Sequence, residues 1–192
     1  MSYVDLHVHS NASDGTLSPE QVVRLAHEAG LSSIALTDHD TTAGVAGAAE
    51  AGAELGLEVV PGIEVSSSFR DHEIHILGLF VDTDSPSLQA ALKEFRHHRD
   101  QRNQEMLGRF DAHGIHLTAE DLCAGNPDTV ITRAHVARAL LAKGLGPDLD
   151  HIFKKYLQYG GIYCPPKEFL PPEAVMEALL DSHAFVALAH PF

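Results

Sequence analysis

Short apolar runs alternate with longer segments of helical periodicity through the first 82 residues of the chain. The runs at 3–9, 32–37, 57–65 and 74–81 are rich in Val, Ile and Leu and predict four strands. Two segments between them, 18–30 and 42–55, predict helices, and the first begins with a capping box in which Ser18 is the N-cap and Gln21 the N3 residue. Because buried strands separated by helices pair in parallel, the pattern predicts an α/β fold with a barrel or a doubly wound sheet.

The rest of the chain is predicted to be helical until its last strand. A helix begins at Ser85-Pro86, and loops rich in Gly and Pro separate further helical segments up to residue 165. Another helix, 171–181, precedes a strand at 184–189. We therefore predict a barrel formed by residues 1–95 and 166–192, interrupted by a helical insertion over residues 96–165.

Polar side chains recur at the ends of the predicted strands. They are His7 and His9 at the end of the first strand, Asp14 in the following turn, His39 at the end of the second, Glu64 at the end of the third and His75 in the fourth. In α/β barrels these strand ends converge on one face, so we expect the side chains to meet. Imidazole and carboxylate without thiolate suit Zn²⁺, Mn²⁺ or Fe²⁺. Two alternatives stay open, a surface histidine pair on an edge strand for His7 and His9, and helix capping for Asp14 and His39.

Charge and cysteine content narrow the function classes. The formal net charge is −14, from 27 acidic and 13 basic residues, which disfavours long duplex DNA and anionic membranes as partners. No apolar run approaches the roughly 20 residues that a membrane-spanning helix needs. Cys123 and Cys164 form no C-x-x-C pair, which argues against thiolate metal sites and a disulfide framework and favours a cytoplasmic location.

The motifs, in their order along the chain, resemble those of the PHP (polymerase and histidinol phosphatase) metal-dependent phosphoesterases. They are Asp-Leu-His-Val-His-Ser at 5–10, Ser-Asp-Gly at 13–15, Thr-Asp-His-Asp at 37–40, Gly-Ile-Glu-Val-Ser at 62–66, His-Ile-Leu-Gly at 75–78 and Ala-His-Pro at 189–191. The resemblance implies a distorted, TIM-like (β/α)7 barrel. It also implies that two or three divalent ions, Mn²⁺, Fe²⁺ or Zn²⁺, are bridged by Glu64 and ligated by His7, His9, Asp14, His39, Glu64, His75 and His190.

Basic residues in the insertion supply candidate substrate-binding groups. Arg96, Arg99 and Arg102 recur every three residues on one predicted helix, and Arg133 and His135 lie where a later helix begins. Arginine donates paired hydrogen bonds to phosphate, and a helix N-terminus favours an anion. We therefore expect Arg99, Arg102, Arg133 and His135 to bind substrate. A solvated basic helix face and simple helix packing are the alternatives.

The resemblance stops at the Ala-His-Pro strand. PHP proteins continue with further strands and a late Gly-x-Asp-x-His motif that supplies an aspartate and a histidine to the metals, and this chain has no counterpart of it. The barrel is therefore expected to be incomplete at its C-terminal end, with exposed strand edges that a missing segment or a partner chain would cover.

The insertion is similar to that of the PHP branch that acts on nucleotides. We predict hydrolysis of a nucleotide phosphomonoester, AMP or a nucleoside 3′,5′-bisphosphate, or of the 5′ end of a short RNA, by a metal-bound hydroxide, with Glu64 and His190 as catalytic residues. The alternatives are a histidinol-phosphatase-like enzyme, an amidohydrolase-type C–N hydrolase and a non-catalytic metal-binding PHP domain or fragment. An amidohydrolase usually needs a lysine at a strand end, where this sequence has none.

Overall fold

The computed structural model describes residues 3–70, 72–123, 126, 128–166 and 170–191. The chain divides into two units, which we name for their content. The barrel unit comprises Met1–Phe95 and Phe169–Phe192, and the insertion unit comprises Arg96–Glu168.

Five strands of the barrel unit form one sheet in the order β1-β2-β3-β4-β5. They are β1 (Tyr3–Val8), β2 (Leu31–Leu36), β3 (Glu58–Phe69), β4 (His72–Leu79) and β5 (Phe185–Leu188). The first three strands are parallel, and β4 runs antiparallel to both β3 and β5. The sheet is curled into a half-barrel, so the α/β class is as predicted. The C-terminal residues of β1, β2 and β5 and the N-terminal residues of β4 lie at the same edge of this half-barrel.

The prediction of parallel pairing is wrong for β4. Glu64 pairs with Leu77, and Phe69 pairs with His72, in an antiparallel ladder. Only two residues separate these strands, whereas a parallel connection needs a dozen or more. The third strand is also longer than predicted, so Glu64 lies within β3 rather than at its end.

Seven helices are formed by the described residues. They are α1 (Pro19–Glu28), α2 (Val45–Leu55), α3 (Pro86–Ala112), α4 (Ala119–Cys123), α5 (Arg133–Ala142), α6 (Leu149–Tyr156) and α7 (Pro172–Asp181). The predicted capping box of α1 is present, since the Ser18 side chain accepts from Gln21 N and the Gln21 side chain accepts from Ser18 N. None of the described helices has the length and apolar character needed to cross a membrane.

Each unit has its own hydrophobic core. In the barrel unit, Val23 and Ile34 are buried between α1, α2 and the sheet, and Ile63 is buried against Leu88 and Leu179. These clusters hold the sheet that carries the polar strand ends. The core of the insertion unit includes Phe110, Leu140 and Ile152, with the Phe110 and Tyr163 rings stacked at 4.7 Å. The insertion therefore buries apolar surface independently.

Candidate metal centre

Glu64 is the central residue of a cluster of imidazoles in the barrel unit. Its side chain is 1% exposed, and five histidine nitrogens surround its two oxygens. Oε2 lies 3.0 Å from His7 Nε2, 3.0 Å from His9 Nε2 and 3.4 Å from His39 Nδ1. Oε1 lies 2.9 Å from both His75 Nδ1 and His190 Nε2. The carboxylate therefore separates two groups of histidines and faces both.

The strand ends explain why residues so far apart in sequence meet. His7 lies near the end of β1, and His9 directly follows that strand. His39 forms an isolated parallel bridge with Glu64 beyond the end of β2. His75 lies near the start of β4, which faces the same end because that strand is antiparallel. Beyond β5, Ala189 N donates to His75 O at 2.9 Å, which brings His190 next to His75.

Asp14 approaches the same cluster from the loop after β1. Its Oδ1 lies 3.1 Å from His9 Nδ1, and its Oδ2 lies 3.5 Å from His39 Nε2. The N-cap residues of α1 and α2 are Ser18 and Gly44, so Asp14 and His39 do not cap these helices. All seven predicted ligands thus lie in one connected cluster, whose role in binding metal stays a prediction.

Two buried histidine nitrogens in this cluster indicate what it could bind. Among the described residues, neither His39 Nδ1 nor His75 Nε2 has a hydrogen-bond partner. Carboxylate oxygens of Glu64 and Glu73 lie 3.4 Å from these atoms, but outside hydrogen-bonding geometry. A buried polar nitrogen without a partner costs free energy unless something else satisfies it. The donor set fits a divalent cation, because imidazoles and carboxylates converge without thiolate.

The ligand atoms form two groups that could each hold an ion. One is His7, Glu64 and His190, and the other is His9, His39 and Glu64. The atoms within each group lie within 4.8 Å of one another. Glu64 belongs to both groups, which is the arrangement expected of a bridging carboxylate.

The ionisation of the cluster is strongly coupled. Burial alone would lower the pKa of His9 and His75, but hydrogen bonds with carboxylates outweigh it and raise both pKa values to about 9. Burial also opposes the ionisation of Glu64 and Asp14, yet hydrogen bonds with histidines hold the pKa of both carboxyl groups well below their usual range. In the metal-free cluster the carboxylates therefore keep protons on imidazoles that an ion would displace.

The candidate substrate-binding arginines lie in the insertion unit. Arg99 and Arg102 are buried, 6% and 7% exposed, so they do not form the solvated helix face that was the alternative reading. Burial lowers the pKa of Arg102, and the like charges of Arg99 and Arg133 lower it further. Arg102 Nη2 donates to Asn103 Oδ1 at 3.0 Å, while its Nε and Nη1 have no hydrogen-bond partner among the described residues.

The other two candidates lie at the start of α5. The Arg133 guanidinium lies 3.7 Å from the centroid of the Tyr159 ring, and its Nη1 donates to Leu157 O at 3.3 Å. His135 is buried, and its Nδ1 accepts from Thr132 N at 3.0 Å in a capping box. This geometry gives the His135 ring a role in starting the helix, and its contact with substrate stays a prediction.

Sequence reasoning missed several residues that support these sites. Asp38 is buried beside the loop after β1, Glu73 lies next to His75, and Tyr159 stacks on Arg133. For Asp38 a signal existed, because it precedes His39 in the Thr-Asp-His-Asp segment. Nothing local in the sequence indicates that Tyr159 would contact Arg133.

The family comparison agrees with the fold and the cluster. The model of the PHP domain family matches residues 5–162. The chain therefore belongs to the PHP domain family. The 5′-3′ exoribonuclease Rnm of Escherichia coli is 37% identical over 192 residues, covering 97% of this chain and 64% of the relative. The 3′,5′-nucleoside bisphosphate phosphatase of Chromobacterium violaceum is 36% identical over 193 residues, covering 100% of this chain and 67% of the relative.

Two solved structures have the same fold. One is an amidohydrolase from Chromobacterium violaceum with bound sulfate and no metal, with a TM-score of 0.91, 36% identity, and coverage of 98% of this chain and 66% of that chain. The other is described as a metal-dependent phosphoesterase from Bifidobacterium adolescentis, with a TM-score of 0.91, 30% identity, and coverage of 98% and 67%. The chain thus spans about two thirds of the length of these relatives.

Proposed function

We propose that this chain is the metal-binding part of a phosphoesterase that hydrolyses phosphate esters of nucleotides or the 5′ end of short RNA. The observation that carries the proposal is the buried carboxylate of Glu64, which five imidazole nitrogens surround at 2.9–3.4 Å. Two or three divalent ions would be held by the set His7, His9, Asp14, His39, Glu64, His75 and His190. Mn²⁺, Fe²⁺ and Zn²⁺ all suit these ligands.

Ions bound there would lower the pKa of water and offset negative charge on the phosphoryl oxygens. The protein residues would determine where these ions lie. Glu64 would hold two ions at a fixed separation, because it belongs to both ligand groups and histidines contact each of its oxygens. The side chain of His190 is 57% exposed, so it combines contact with Glu64 with access from solvent. We therefore assign Glu64 and His190 to the catalytic centre.

The arginines of the insertion unit are proposed to bind a phosphate group of the substrate. Three guanidinium groups influence one another there, and Arg102 has two buried N–H groups without partners among the described residues. An anion would supply acceptors for the three N–H bonds of those two nitrogens, Nε and Nη1, and relieve the repulsion between Arg99, Arg102 and Arg133. Phosphate fits because its oxygens accept paired hydrogen bonds from a planar guanidinium. His135 would act beside them by shaping the start of α5.

The names of the relatives support this substrate class. A nucleoside bisphosphate and an RNA both carry phosphate esters on a nucleoside, and they are the substrates named for relatives at 36% and 37% identity. A small phosphorylated substrate also suits a chain of net charge −14 better than long duplex DNA does. The cytoplasmic location stays a prediction.

Completion of the half-barrel is a further part of the proposal. The edge strands β1 and β5 expose apolar side chains, including Tyr3, Val4, Phe185 and Leu188. Exposed strand edges of this kind invite pairing with further strands. We propose that additional strands, from a further segment or a partner chain, close the sheet into the (β/α)7 barrel.

Phosphate release tests the proposal directly. The substrates are AMP, adenosine 3′,5′-bisphosphate, histidinol phosphate and a short 5′-phosphorylated RNA, each with Mn²⁺ or with excess chelator. We expect chelator-sensitive release from one of the nucleotide substrates, and its loss in His39→Ala. The matched control is His27→Ala, which removes an exposed histidine from the last turn of α1.

Other outcomes point to the alternatives. Preference for histidinol phosphate would favour the histidinol-phosphatase reading. Mn²⁺ binding that raises the melting temperature without any phosphate release, in a protein whose barrel has been completed by added strands, would favour a non-catalytic metal-binding domain. Release that is insensitive to chelator would contradict the proposal.

A further inference from the structure

Asp38 is a buried carboxylate that belongs to neither ligand group but contacts the loop that carries Asp14. It is 1% exposed and accepts three hydrogen bonds. Ser10 N donates to Oδ1 at 2.8 Å, Ser10 Oγ donates to Oδ2 at 2.6 Å and Ser13 Oγ donates to Oδ1 at 2.6 Å. We propose that Asp38 is the positioning residue for the ion held by His9, His39 and Glu64. This inference rests on the proposed function, because it presumes that these residues hold an ion.

Hydrogen bonds to Ser10 hold the loop after β1. Ser13 N and Gly15 N both donate to Ser10 O, at 3.2 and 2.8 Å, so the backbone on either side of Asp14 is tied to one carbonyl. The two hydrogen bonds from Ser10 then fix that residue to Asp38 at the end of β2. The position of the Asp14 carboxylate therefore depends on Asp38, although the two carboxylates perform different tasks.

Asp38 also determines how Ser13 can act on His9. A carboxylate only accepts, so the Ser13 hydroxyl gives its one hydrogen to Asp38. Toward His9 Nδ1, 3.4 Å away, the Ser13 oxygen can then only accept. The Asp14 carboxylate, which also only accepts, lies 3.1 Å from the same nitrogen. Both neighbours favour hydrogen on Nδ1, so Nε2, which lies 3.0 Å from Glu64 Oε2, is the nitrogen that an ion would bind once it displaces the proton there.

The backbone of Asp38 connects this network to the other ligands. Asp38 O accepts from Glu64 N at 3.2 Å, and His39 is the next residue in the chain. One residue thus links β1, β2 and β3 at the point where their ligands meet. Groups that orient metal ligands in this way typically contribute 10- to 100-fold in metal affinity.

The test measures ion binding rather than activity. Metal-free wild type, Asp38→Asn and Ser13→Ala are titrated with Mn²⁺ by isothermal titration calorimetry, and the melting temperature of each metal-free protein is recorded. The matched control is Ser182→Ala, another fully buried serine of the barrel unit, whose hydroxyl donates to Leu179 O at 2.7 Å. If Asp38→Asn fails to fold, the Mn²⁺ titration of Ser13→Ala still tests the inference.

We expect Asp38→Asn and Ser13→Ala to weaken one bound ion by about 10- to 100-fold while the ion of the His7, Glu64 and His190 group keeps its affinity. Ser182→Ala should lower the melting temperature without changing either affinity. Wild-type affinity for every ion in both variants would overturn the inference. So would equal weakening of all ions in proportion to lost stability, which would mean a general structural role. Absence of Mn²⁺ binding by the wild type would instead overturn the proposed function itself.

Discussion

His190 Nε2 lies 2.9 Å from Glu64 Oε1, although the two residues are 126 positions apart in the sequence. The insertion unit, Arg96–Glu168, lies between them in the sequence. The contact exists because β4 pairs with β3 on one side and with β5 on the other, so that residues from both ends of the chain reach the same strand. The order of the strands in the sheet therefore assembles the cluster. Because Glu64 contacts five of its histidines, replacing Glu64 should affect most of the cluster.

Glu64→Gln should abolish turnover. A neutral amide replaces one acceptor oxygen with a donor NH₂ and cannot bridge two cations. Phosphate release with saturating Mn²⁺ should fall by at least about 10²- to 10³-fold, the scale of losing one electrostatic group in an active site. The control is Glu58→Gln at the exposed start of the same strand, which should leave the rate unchanged. Wild-type release by Glu64→Gln at equal metal loading would refute the bridging role.

Local sequence signals predicted the parts of the fold that neighbouring residues determine. The capping box of α1 needs only Ser18, Pro19 and Gln21, so it could be identified without a structure. The β3–β4 ladder could not, because an apolar run gives no information about strand direction. Six of the seven predicted ligands lie near a strand end or in the segment that follows, a position that sequence can indicate even when the pairing is misjudged. Glu64 lies within β3 and joins them because His39 bridges to it beyond the end of β2.

The metal-free protein should become less stable as the pH rises above neutrality. Despite burial, which acts in the opposite direction, contacts with carboxylates raise the pKa of His9 and His75 from 6.5 to about 9. Protonated histidines therefore stabilise the folded state fully below pH 6.5, and this stabilisation is lost as the pH rises through about 9. In excess chelator, melting temperatures should fall between pH 6.5 and 9.

Mn²⁺ should reverse that trend, because an ion competes with the same protons and its binding strengthens as they leave. The increase in melting temperature that Mn²⁺ produces should therefore grow over the same pH range. His75→Gln provides the control, since it should reduce the pH dependence of the metal-free protein to the part that His9 contributes. A melting temperature independent of pH in chelator would contradict the coupling between these histidines and Glu64.

Arg102→Met should weaken substrate binding without lowering stability. Arg102 is buried, with two nitrogens that find no partner in the part of the chain that the structure describes, and replacing a buried charge with an apolar side chain of similar length is often neutral or stabilising. Losing a charge-assisted contact should raise the KM for adenosine 3′,5′-bisphosphate by about 10- to 100-fold. The melting temperature should stay unchanged or rise.

Arg109→Met on the same helix should show the opposite behaviour. Arg109 donates to Gly161 O at 3.2 Å and to Glu105 Oε1 at 2.7 Å, so its loss should cost about 1 kcal/mol of stability and leave KM unchanged. If Arg102→Met behaved like Arg109→Met, Arg102 would be a structural residue rather than a phosphate-binding one.

The burial of Arg99 and Arg102 marks the limit of sequence reasoning in the insertion. A three-residue repeat places arginines near one face of a helix, but it does not say whether water or protein covers that face. In the structure, two residues far along the chain also influence Arg102, because the charges of Arg133 and Tyr159 affect its pKa. Such contacts depend on how α3, α5 and the segment after α6 pack, which no local pattern determines.

Gly15→Ala should destabilise the protein and weaken the ion that depends on Asp14. A Cβ at residue 15 would lie 2.5 Å from His9 O and 2.7 Å from the Ser10 carbonyl, so the loop backbone would have to move. We expect a loss of about 1–3 kcal/mol in urea unfolding and weaker binding of one ion in a Mn²⁺ titration. The matched control is Gly108→Ala within α3, where a Cβ would meet nothing within 4 Å and helix propensity should add up to about 1 kcal/mol. If both variants gained stability and bound Mn²⁺ like the wild type, the tight loop would not be what holds Asp14 in place.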